Sequence, residues 1–464
     1  MIYSRLDQDP TPTPDPRRSR KDFLCTFFSA LDRNQVRYCV LHSWDELPER
    51  LASDLDIAVH PEDARKLSFV FRFLGDRAYT PVQVFNHSVG AYCFQFLWFE
   101  GPLTNSLAVD AVFEQKGTVM VPAVELLVST RRRHGMFWIS APESEFRYLL
   151  AKKTCKGTVP ARQERRLRDL VEQLGRPTAE RLARELFLGR LNVRVVEACA
   201  SEGLGALVPQ ITGHTWKASL ARNPLRLAAY ALFEAVRRVR RWLRPTGLFV
   251  VIMGPDGAGK STLIKHLAKQ VGPAFRRHRV FHWRPMLLWR RKATGDTTRP
   301  HSCPPHPGWL SVTRLCVYLL DYWLGYWLVT RPLVVRSGLV LFDRYYDDML
   351  IDPKRYRYGG PLRLARTLRP LVPKPDLVLI LDAPTHVVLS RKQEVAPEEL
   401  QRQRRLYAKC VTGSSGTRAI DATGSVAQVA AEAGRTVIEY LSQRFERQHA
   451  RRLAPERDAV QGQT

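Results

Sequence analysis

The fold of this chain is decided by the stretch Gly254-Pro255-Asp256-Gly257-Ala258-Gly259-Lys260-Ser261-Thr262. The apolar run 248–253 before it is typical of a buried strand, and the run 263–268 behind it indicates the start of a helix. The spacing G-x-x-x-x-G-K-S in this strand–loop–helix context is that of a phosphate-binding loop. Its glycines let backbone N–H groups converge on phosphate, and the helix N-terminus adds the positive end of its dipole. We therefore expect the whole stretch to bind a nucleoside triphosphate.

Two side chains of this loop carry specific chemistry. The Lys260 ammonium can reach the β- and γ-phosphates, and the Ser261 hydroxyl can ligate Mg²⁺. A second signal, Asp343-Arg344, follows an apolar strand at 339–342. Because ligands bind at the carboxyl ends of strands in open α/β sheets, Asp343 is expected to hold Mg²⁺ and Arg344 to clamp a phosphate. Together these groups supply the charge neutralisation and positioning that phosphoryl transfer requires.

The sequence around these motifs alternates between strands and helices. Each predicted strand is followed by a helical or loop segment. The predicted strands are at 248–253, 280–283, 339–342, 377–381 and 418–421. This alternation implies an α/β fold with a parallel sheet and helices on both faces. A proline-rich loop at 294–308 interrupts it and is expected to be mobile, and the aromatic segment 315–335 is expected to be a core helix rather than a membrane span.

Residues 247–443 resemble the thymidylate kinase family. The resemblance is carried by the loop 254–262, by Asp343-Arg344-Tyr345, and by the run Pro-Asp-Leu-Val-Leu-Ile-Leu-Asp at 375–382. It implies a P-loop NTPase fold that transfers a phosphoryl group from ATP, with Mg²⁺, to a nucleoside monophosphate, with dTMP as the family default.

The resemblance also assigns roles to single residues. Lys260 would stabilise the transferred phosphoryl group, while Ser261 and Asp343 would hold Mg²⁺. Arg344 would grip the acceptor phosphate, and Asp256 would approach the acceptor sugar. Lid arginines that close over the reaction would come from the segment 391–405, with Arg391 as the first candidate and Arg402, Arg404 and Arg405 as the others. An exposed basic helix is the alternative for that segment.

The acceptor side departs from the family pattern. The Glu-Pro-Gly element that the family carries after its second strand is replaced by His282-Trp283-Arg284-Pro285. Arg284 and Tyr345 are expected to join Asp256 and Arg344 in binding the acceptor. The family's thymine-reading Gln and Arg are not evident, so a kinase of another phosphorylated or sugar acceptor in surface polysaccharide metabolism is an alternative. An ATP-dependent switch with an amino-terminal nucleotidyltransferase activity is another.

The first half of the chain carries three aspartates in strand-like segments. Asp54 and Asp56 lie two residues apart and so share one face of a strand, and Asp110 lies inside another alternating run. Such carboxylates on adjacent strands can hold divalent metals for nucleotidyl transfer. The pattern resembles the nucleotidyltransferase superfamily, with His42-Ser43 where its members have a glycine-containing turn. Exposed aspartates on an edge strand are the alternative.

A basic helical stretch separates the two halves. Residues 224–244 combine an apolar face with arginines at 226, 237, 238, 240, 241 and 244. We expect its apolar face to be buried between the domains, although contact with anionic lipid or nucleic acid is also open. The expected organisation is a disordered leader at 1–20, a nucleotidyltransferase-like α/β domain at 21–125, a helical basic region at 126–245, the kinase-like domain at 246–445 and a disordered tail at 446–464.

Composition bounds the remaining options. The formal net charge is +27 over 464 residues, which favours polyanionic partners such as nucleotides or membrane surfaces. The eight cysteines are scattered and include no C-x-x-C pair, so they suggest neither a zinc site nor a disulfide framework. The first residues are not followed by the apolar run that a secretory signal requires, so no such signal is expected. These features predict a cytoplasmic enzyme that binds a nucleotide and a small phosphorylated acceptor. A homodimer and peripheral membrane contact stay open, and nucleic acid is not favoured as a partner.

Overall fold

The computed structural model describes residues 16–51, 53–88, 90–100, 103–113, 124–187, 191–211, 224–288, 304–392, 395–412 and 416–453. The chain forms two compact units. The first contains residues up to Glu100, Asn105–Arg238 and the end of the chain from Phe445, and the second contains Gly101–Thr104 and Val239–Arg444. In this division, the region predicted at 126–245 groups with the first unit up to Arg238.

The first unit is built on a mixed sheet of seven strands. Its order is β3-β4-β5-β2-β1-β7-β6, in which β1 pairs antiparallel with β2 and β2 pairs parallel with β5. The strands are β1 Tyr38–Val40, β2 Leu55–Val59, β3 Thr80–Ser88, β4 Ala91–Glu100, β5 Leu103–Val112, β6 Arg132–His134 and β7 Phe137–Ile139. The sequence predicted β1, β2 and β5. It did not predict β3 and β4, nor β6 and β7, which interrupt a segment expected to be helical.

Helices cover both faces of this sheet. Alternate residues of β1 divide between two cores: Tyr38 and Val40 pack with Phe23 of α1, whereas Cys39 packs with Leu149 of α4. The helices are α1 Pro16–Arg33, α2 Leu67–Gly75, α3 Val124–Ser129, α4 Pro142–Lys156, α5 Ala161–Leu174, α6 Arg176–Leu186 and α7 Leu191–Ala200, and residues 204–211 are also helical. Helix α1 begins at Pro16, within the segment predicted as a disordered leader.

The second unit contains a five-stranded parallel sheet. Its order is β12-β11-β8-β10-β9, and every pair in it is parallel, as the sequence predicted. The strands are β8 Leu248–Met253, β9 Arg277–His282, β10 Gly338–Asp343, β11 Leu377–Asp382 and β12 Thr417–Asp421. This order places β8 at the centre with β10 and β11 on either side. The loop after β8 therefore lies beside the carboxyl ends of two neighbouring strands.

Helices lie before, between and after these strands. They are α8 Pro224–Leu243, α9 Lys260–Gln270, α10 Gly308–Gly325, α11 Arg331–Val335, α12 Tyr346–Ile351, α13 Leu362–Leu368, α14 Thr385–Arg391, α15 Pro397–Thr412 and α16 Val426–Leu453. Helix α8 belongs to the first unit up to Arg238, and α16 belongs to it from Phe445. An aromatic core forms where Tyr318 and Tyr322 of α10 pack with Phe342 of β10. Helix α16 continues to Leu453, beyond the predicted start of a disordered tail, and most of the proline-rich loop lies outside the described residues.

Two segments, 315–335 and 224–244, were expected to form helices with buried apolar faces. The segment 315–335 forms α10, a π-helical turn Tyr326–Thr330 and α11, and no helix of the described residues is both long and apolar enough to cross a bilayer. The apolar face of α8, expected to be buried, is exposed at Leu232, Val236 and Val239. That expectation was wrong for these residues, and the described side chains of α8 that bond to other segments are those of Arg237 and Arg241.

Candidate functional site: a phosphate-binding loop and its acidic neighbour

The loop between β8 and α9 has a backbone that requires glycine. Gly254 has φ 141° and Gly259 has φ 91°, conformations that residues with a Cβ rarely adopt. A Cβ on Gly254 would also lie 2.7 Å from the carbonyl oxygen of Leu381 in β11. Gly259 immediately precedes α9, so the first turn of that helix starts with its N–H groups directed at the loop. The result is a glycine-dependent turn at a helix N-terminus, the geometry that the sequence predicted for this loop.

The Lys260 side chain folds back into this loop. It is 6% exposed, and its ammonium donates hydrogen bonds to the carbonyls of Gly254 at 2.9 Å and Pro255 at 2.8 Å. The Asp256 carboxylate lies 3.5 Å from the same nitrogen. A buried ammonium is costly unless such acceptors satisfy it. The amine is thus held at the place where phosphate oxygens would replace the carbonyls.

Ser261 and Asp343 meet beside the loop. The Ser261 hydroxyl lies 3.2 Å from Asp343 Oδ2, and His282 Nδ1 at the end of β9 lies 3.4 Å from the same oxygen. Burial acts to raise the pKa of Asp343, but the hydrogen bond from His282 and the charge of Lys260 outweigh it, so the pKa is lowered. Asp343 is therefore a carboxylate at neutral pH.

The same pair fits a magnesium ion. Among the described residues, Asp343 Oδ1 is buried and accepts no hydrogen bond, so one carboxylate oxygen has unused acceptor capacity next to a hydroxyl. Mg²⁺ prefers oxygen ligands and usually keeps water and substrate phosphate oxygens beside one or two protein groups. A hydroxyl and one carboxylate are sufficient protein ligands for such a site.

Asp256 of the loop is held by two arginines. Arg344 contacts Asp256 Oδ1, and Arg355 contacts Asp256 Oδ2. Both guanidinium groups are mostly buried, so these are charge-assisted contacts in a poorly hydrated place. Asp256 and Arg344 were predicted to meet the acceptor together, and the structure brings them together. Arg355 was not predicted, because it lies in an irregular segment without a motif.

Arg344 is fixed on its other side by Asp348. Its φ of 74° is unusual for a residue with a side chain, and its guanidinium donates to Asp348 Oδ2 at 2.5 Å. Asp348 is fully buried and also accepts from the hydroxyls of Tyr356, at 2.8 Å, and Tyr407. Burial and then the charge of Asp348 raise the pKa of both tyrosines well above the ordinary value. The strained arginine is thus held by a fully bonded network.

Arg284, predicted as an acceptor ligand, is engaged elsewhere. It is 5% exposed and donates to Asp321 Oδ2 at 2.9 Å. Asp321 is fully buried on α10 and accepts three backbone N–H groups, those of residues 286, 287 and 288. This buried pair fixes the chain after β9. The ring centre of Trp283, beside it, lies 4.4 Å from that of Tyr356 and 4.8 Å from that of Tyr318, which makes an aromatic wall beside the Arg284 guanidinium.

Three further predicted groups do not meet the loop in this structure. Tyr345 is a core residue whose hydroxyl donates to the Pro373 carbonyl at 2.7 Å. Arg391 donates to the Ala422 carbonyl at 2.9 Å, and Arg404 pairs with Asp382. The segment that carries Arg391 is nevertheless adjacent, because a Cβ on Gly257 would lie 3.2 Å from the Val388 carbonyl oxygen.

The three aspartates of the first unit do not form the predicted metal site. Asp56 and Asp110 are register partners on β2 and β5, but Asp54 precedes β2. Asp56 is neutralised by Lys152 of α4 at 3.1 Å and lies 3.3 Å from His42 Nε2. Among the described residues, no three His, Cys, Asp or Glu side chains are grouped so that they could hold a metal. The cation at Asp56 is a lysine.

A parallel sheet, a glycine-dependent loop at its central strand and a serine–aspartate pair at the adjacent strand end define a P-loop nucleotide-binding unit of the kinase type. Curated relatives point to the same class. A thymidylate kinase of Xanthomonas campestris pv. campestris is 28% identical over 212 residues, which cover 44% of this chain and 88% of that protein. A thymidylate kinase of Xylella fastidiosa is 26% identical over 222 residues, which cover 43% of this chain and 91% of that protein.

Solved structures and family models complete the comparison. A thymidylate kinase structure from Candida albicans has a TM-score of 0.32 at 16% identity and covers 42% of this chain and 93% of that chain. A thymidylate kinase structure from Ehrlichia chaffeensis has a TM-score of 0.31 at 16% identity, and the match covers 42% of this chain and 100% of that chain. No protein-family model matches the chain. The relatives show that the chain contains a thymidylate kinase-like P-loop kinase part, which at the family level supports a phosphotransferase of the nucleoside monophosphate kinase type.

Proposed function

We propose that the second unit transfers the γ-phosphoryl group of ATP to the phosphate of a nucleoside monophosphate, with dTMP as the first acceptor to test. The observation that carries this proposal is the arrangement around the loop. Lys260, Ser261 and Asp343 gather at the donor side, and Asp256 and Arg344 gather at the acceptor side. Phosphoryl transfer needs groups on both sides, because the γ-phosphate of the donor must be activated and the acceptor must be aligned with it.

In the proposed reaction each residue has a positioning or electrostatic task. An acceptor phosphate oxygen attacks the γ-phosphorus in line, and the bond from that phosphorus to the β,γ-bridging oxygen breaks, so ADP leaves. The Lys260 ammonium moves from the loop carbonyls to the phosphate oxygens and stabilises the charge that develops there. Arg344, already fixed by Asp348, presents its guanidinium to the acceptor phosphate. Magnesium, held by Ser261 and Asp343, would neutralise charge on the donor phosphates.

A second candidate keeps the reaction and changes the acceptor. Arg284 is neutralised by Asp321 and so is not available to replace the missing acceptor contact of the family. Asp256 pairs instead with Arg344 and Arg355, and the residue after Arg355, Tyr356, belongs to the aromatic wall with Trp283 and Tyr318. Guanidinium groups and aromatic rings suit a phosphorylated sugar or another nucleotide as well as dTMP.

A panel of acceptors tests both candidates. ADP release from MgATP would be measured with dTMP, the other nucleoside monophosphates and sugar phosphates, using the full chain and Arg344→Ala. Turnover with dTMP that the variant loses supports the first candidate. Turnover with a different acceptor supports the second. ADP release at the same rate with no acceptor present would contradict both and indicate an ATPase.

A further inference from the structure

Helix α8 presents its apolar face outward. The exposed aliphatic residues fall at helical spacing and are between 44% and 82% accessible: Leu225, Leu232, Val236, Val239 and Leu243. A surface helix of a soluble protein ordinarily turns such a face toward the core, and a contiguous exposed apolar surface marks a binding site. The exposed aliphatic residues of α8 are thus available to a partner.

Three described side chains on the opposite side of α8 are polar and hydrogen-bonded. Glu234 is 8% exposed and pairs with Arg237, whose guanidinium also donates to the Asn86 carbonyl at 2.9 Å. Further along the helix, Arg241 donates to the Val335 carbonyl at 2.7 Å and to Ser337 Oγ at 3.1 Å. These hydrogen bonds lie on the side of the helix opposite to the exposed aliphatic residues.

Cations border the exposed apolar face. At 100° per residue, Arg238 lies on one side of the face and Arg240 and Arg244 lie on the other, and all three are exposed. Trp242, which is 43% exposed, lies on the same side of the face as Arg238. Glu234, on the inward face, is the only acidic residue in the sequence of α8. An apolar stripe flanked by arginines with a tryptophan at its edge is the pattern of a helix that lies in the interface of a membrane.

We propose that α8 binds the surface of an anionic lipid bilayer, with Leu232 and Val236 at the centre of the inserted face. Charge decides between this partner and a second copy of the chain. Two copies of α8 packed through the same stripe would bring their flanking arginines together, and this like-charge contact is unfavourable. Anionic headgroups instead complement those arginines. This inference does not depend on the kinase reaction.

Vesicle flotation with the full chain tests the proposal. The probes are vesicles of phosphatidylcholine alone and of phosphatidylcholine with about 30% phosphatidylglycerol, a composition chosen for its anionic charge. The wild-type protein should float with the anionic vesicles and not with the neutral ones. The double variant Leu232→Ser/Val236→Ser changes no charge and should weaken the partitioning by at least about tenfold, because insertion depends on buried apolar area.

A matched variant separates insertion from the general attraction of a basic protein. Leu371→Ser/Val426→Ser removes two aliphatic side chains that are similarly exposed, at 62% and 53%, and should float like the wild type. Circular dichroism confirms that each variant is folded. The proposal is overturned if the wild type does not float with anionic vesicles, or if the α8 variant floats as the wild type does. It is also overturned if the α8 variant abolishes self-association in sedimentation velocity while vesicle binding is unchanged.

Discussion

The Ser261 hydroxyl lies 3.2 Å from the Asp343 carboxylate, which joins the first turn of α9 to the end of β10. These residues are 82 positions apart in the chain. The parallel register of β8 and β10 brings them together, since Asp343 is the register partner of Ile252, just before the loop. The relationship matters because a hydroxyl and a carboxylate at this separation can share one divalent cation.

Asp343→Asn tests this pairing. The substitution keeps the size of the side chain and removes its negative charge. We expect kcat to fall by about 10- to 100-fold and the Mg²⁺ concentration for half-maximal activity to rise, because a ligand of the cation is weakened. Steady-state rates against Mg²⁺ concentration measure both effects. The control is Asp421→Asn at the end of β12, which should leave the rates unchanged, and equal effects of the two substitutions would argue against a special role of Asp343.

Arg284→Ala separates a structural role from acceptor binding. The substitution leaves the fully buried Asp321 carboxylate without its cation, so the free energy of unfolding should fall by about 3–5 kcal/mol. Urea denaturation measures this, with the exposed Arg336→Ala expected to change stability by less than about 0.5 kcal/mol. If Arg284→Ala were as stable as the wild type but had a much higher KM for the acceptor, Arg284 would be a ligand after all.

The parts that sequence reasoning could predict are those with local signals. Short-range patterns predict the loop 254–262, the strand before that loop and the strand that ends at Asp343. They also predict the alternation of strands and helices that implies a parallel sheet. The contacts that distinguish the acceptor side are not local. Asp321 lies 37 residues from Arg284, so no spacing indicated that it would neutralise this arginine. Arg355 lies in an irregular segment, so no motif indicated that it would join Arg344 in binding Asp256.

The first unit shows the same limit of a local pattern. Two aspartates at positions 54 and 56 share one face of an extended chain, but β2 begins at Leu55 and only Asp56 lies within the strand. Lys152 comes from a helix 96 residues away and supplies the cation at Asp56. A short acidic pattern predicts which side chains share a face, whereas it cannot predict which distant side chain neutralises them.

Asp63 predicts how the stability of the first unit depends on pH. This 2% exposed carboxylate accepts from the Arg37 backbone N–H at 2.9 Å and from its guanidinium at 2.8 Å, and Lys66 lies 2.9 Å away. Burial acts to raise its pKa, but the bonds from Arg37 and Lys66 outweigh it and lower the pKa from 3.8 to about 2. A folded-state pKa below the unfolded value stabilises the fold above pH 3.8, and this contribution disappears as the pH falls toward 2.

Asp63→Asn should therefore lower the free energy of unfolding by about 2 kcal/mol at pH 7, with a smaller difference from the wild type below pH 3.8. Urea denaturation at a series of pH values measures the difference. Glu62→Gln, on an exposed neighbour, is the control and should change little. A difference that stayed constant from pH 7 to pH 3 would mean that the Asp63 charge is not the source of the effect.

Arg355→Ala tests the acceptor side. Because Arg355 and Arg344 together orient Asp256, its removal should raise KM for the acceptor by about tenfold while KM for ATP stays within about twofold. Arg355→Lys should recover only part of the loss, since an ammonium keeps the charge but lacks the planar fork. Steady-state kinetics with each substrate varied in turn measure the split. Equal increases in both KM values would contradict an acceptor-specific role.

The most direct test of the central claim is to identify the product. The full chain would be incubated with MgATP and dTMP, or with the acceptor that the panel selects, and the nucleotides separated by anion-exchange chromatography. We predict ADP and the diphosphorylated acceptor in equal amounts, and neither product with Lys260→Ala, whose side chain can no longer reach the phosphates. ADP formed together with inorganic phosphate and an unchanged acceptor would contradict the account.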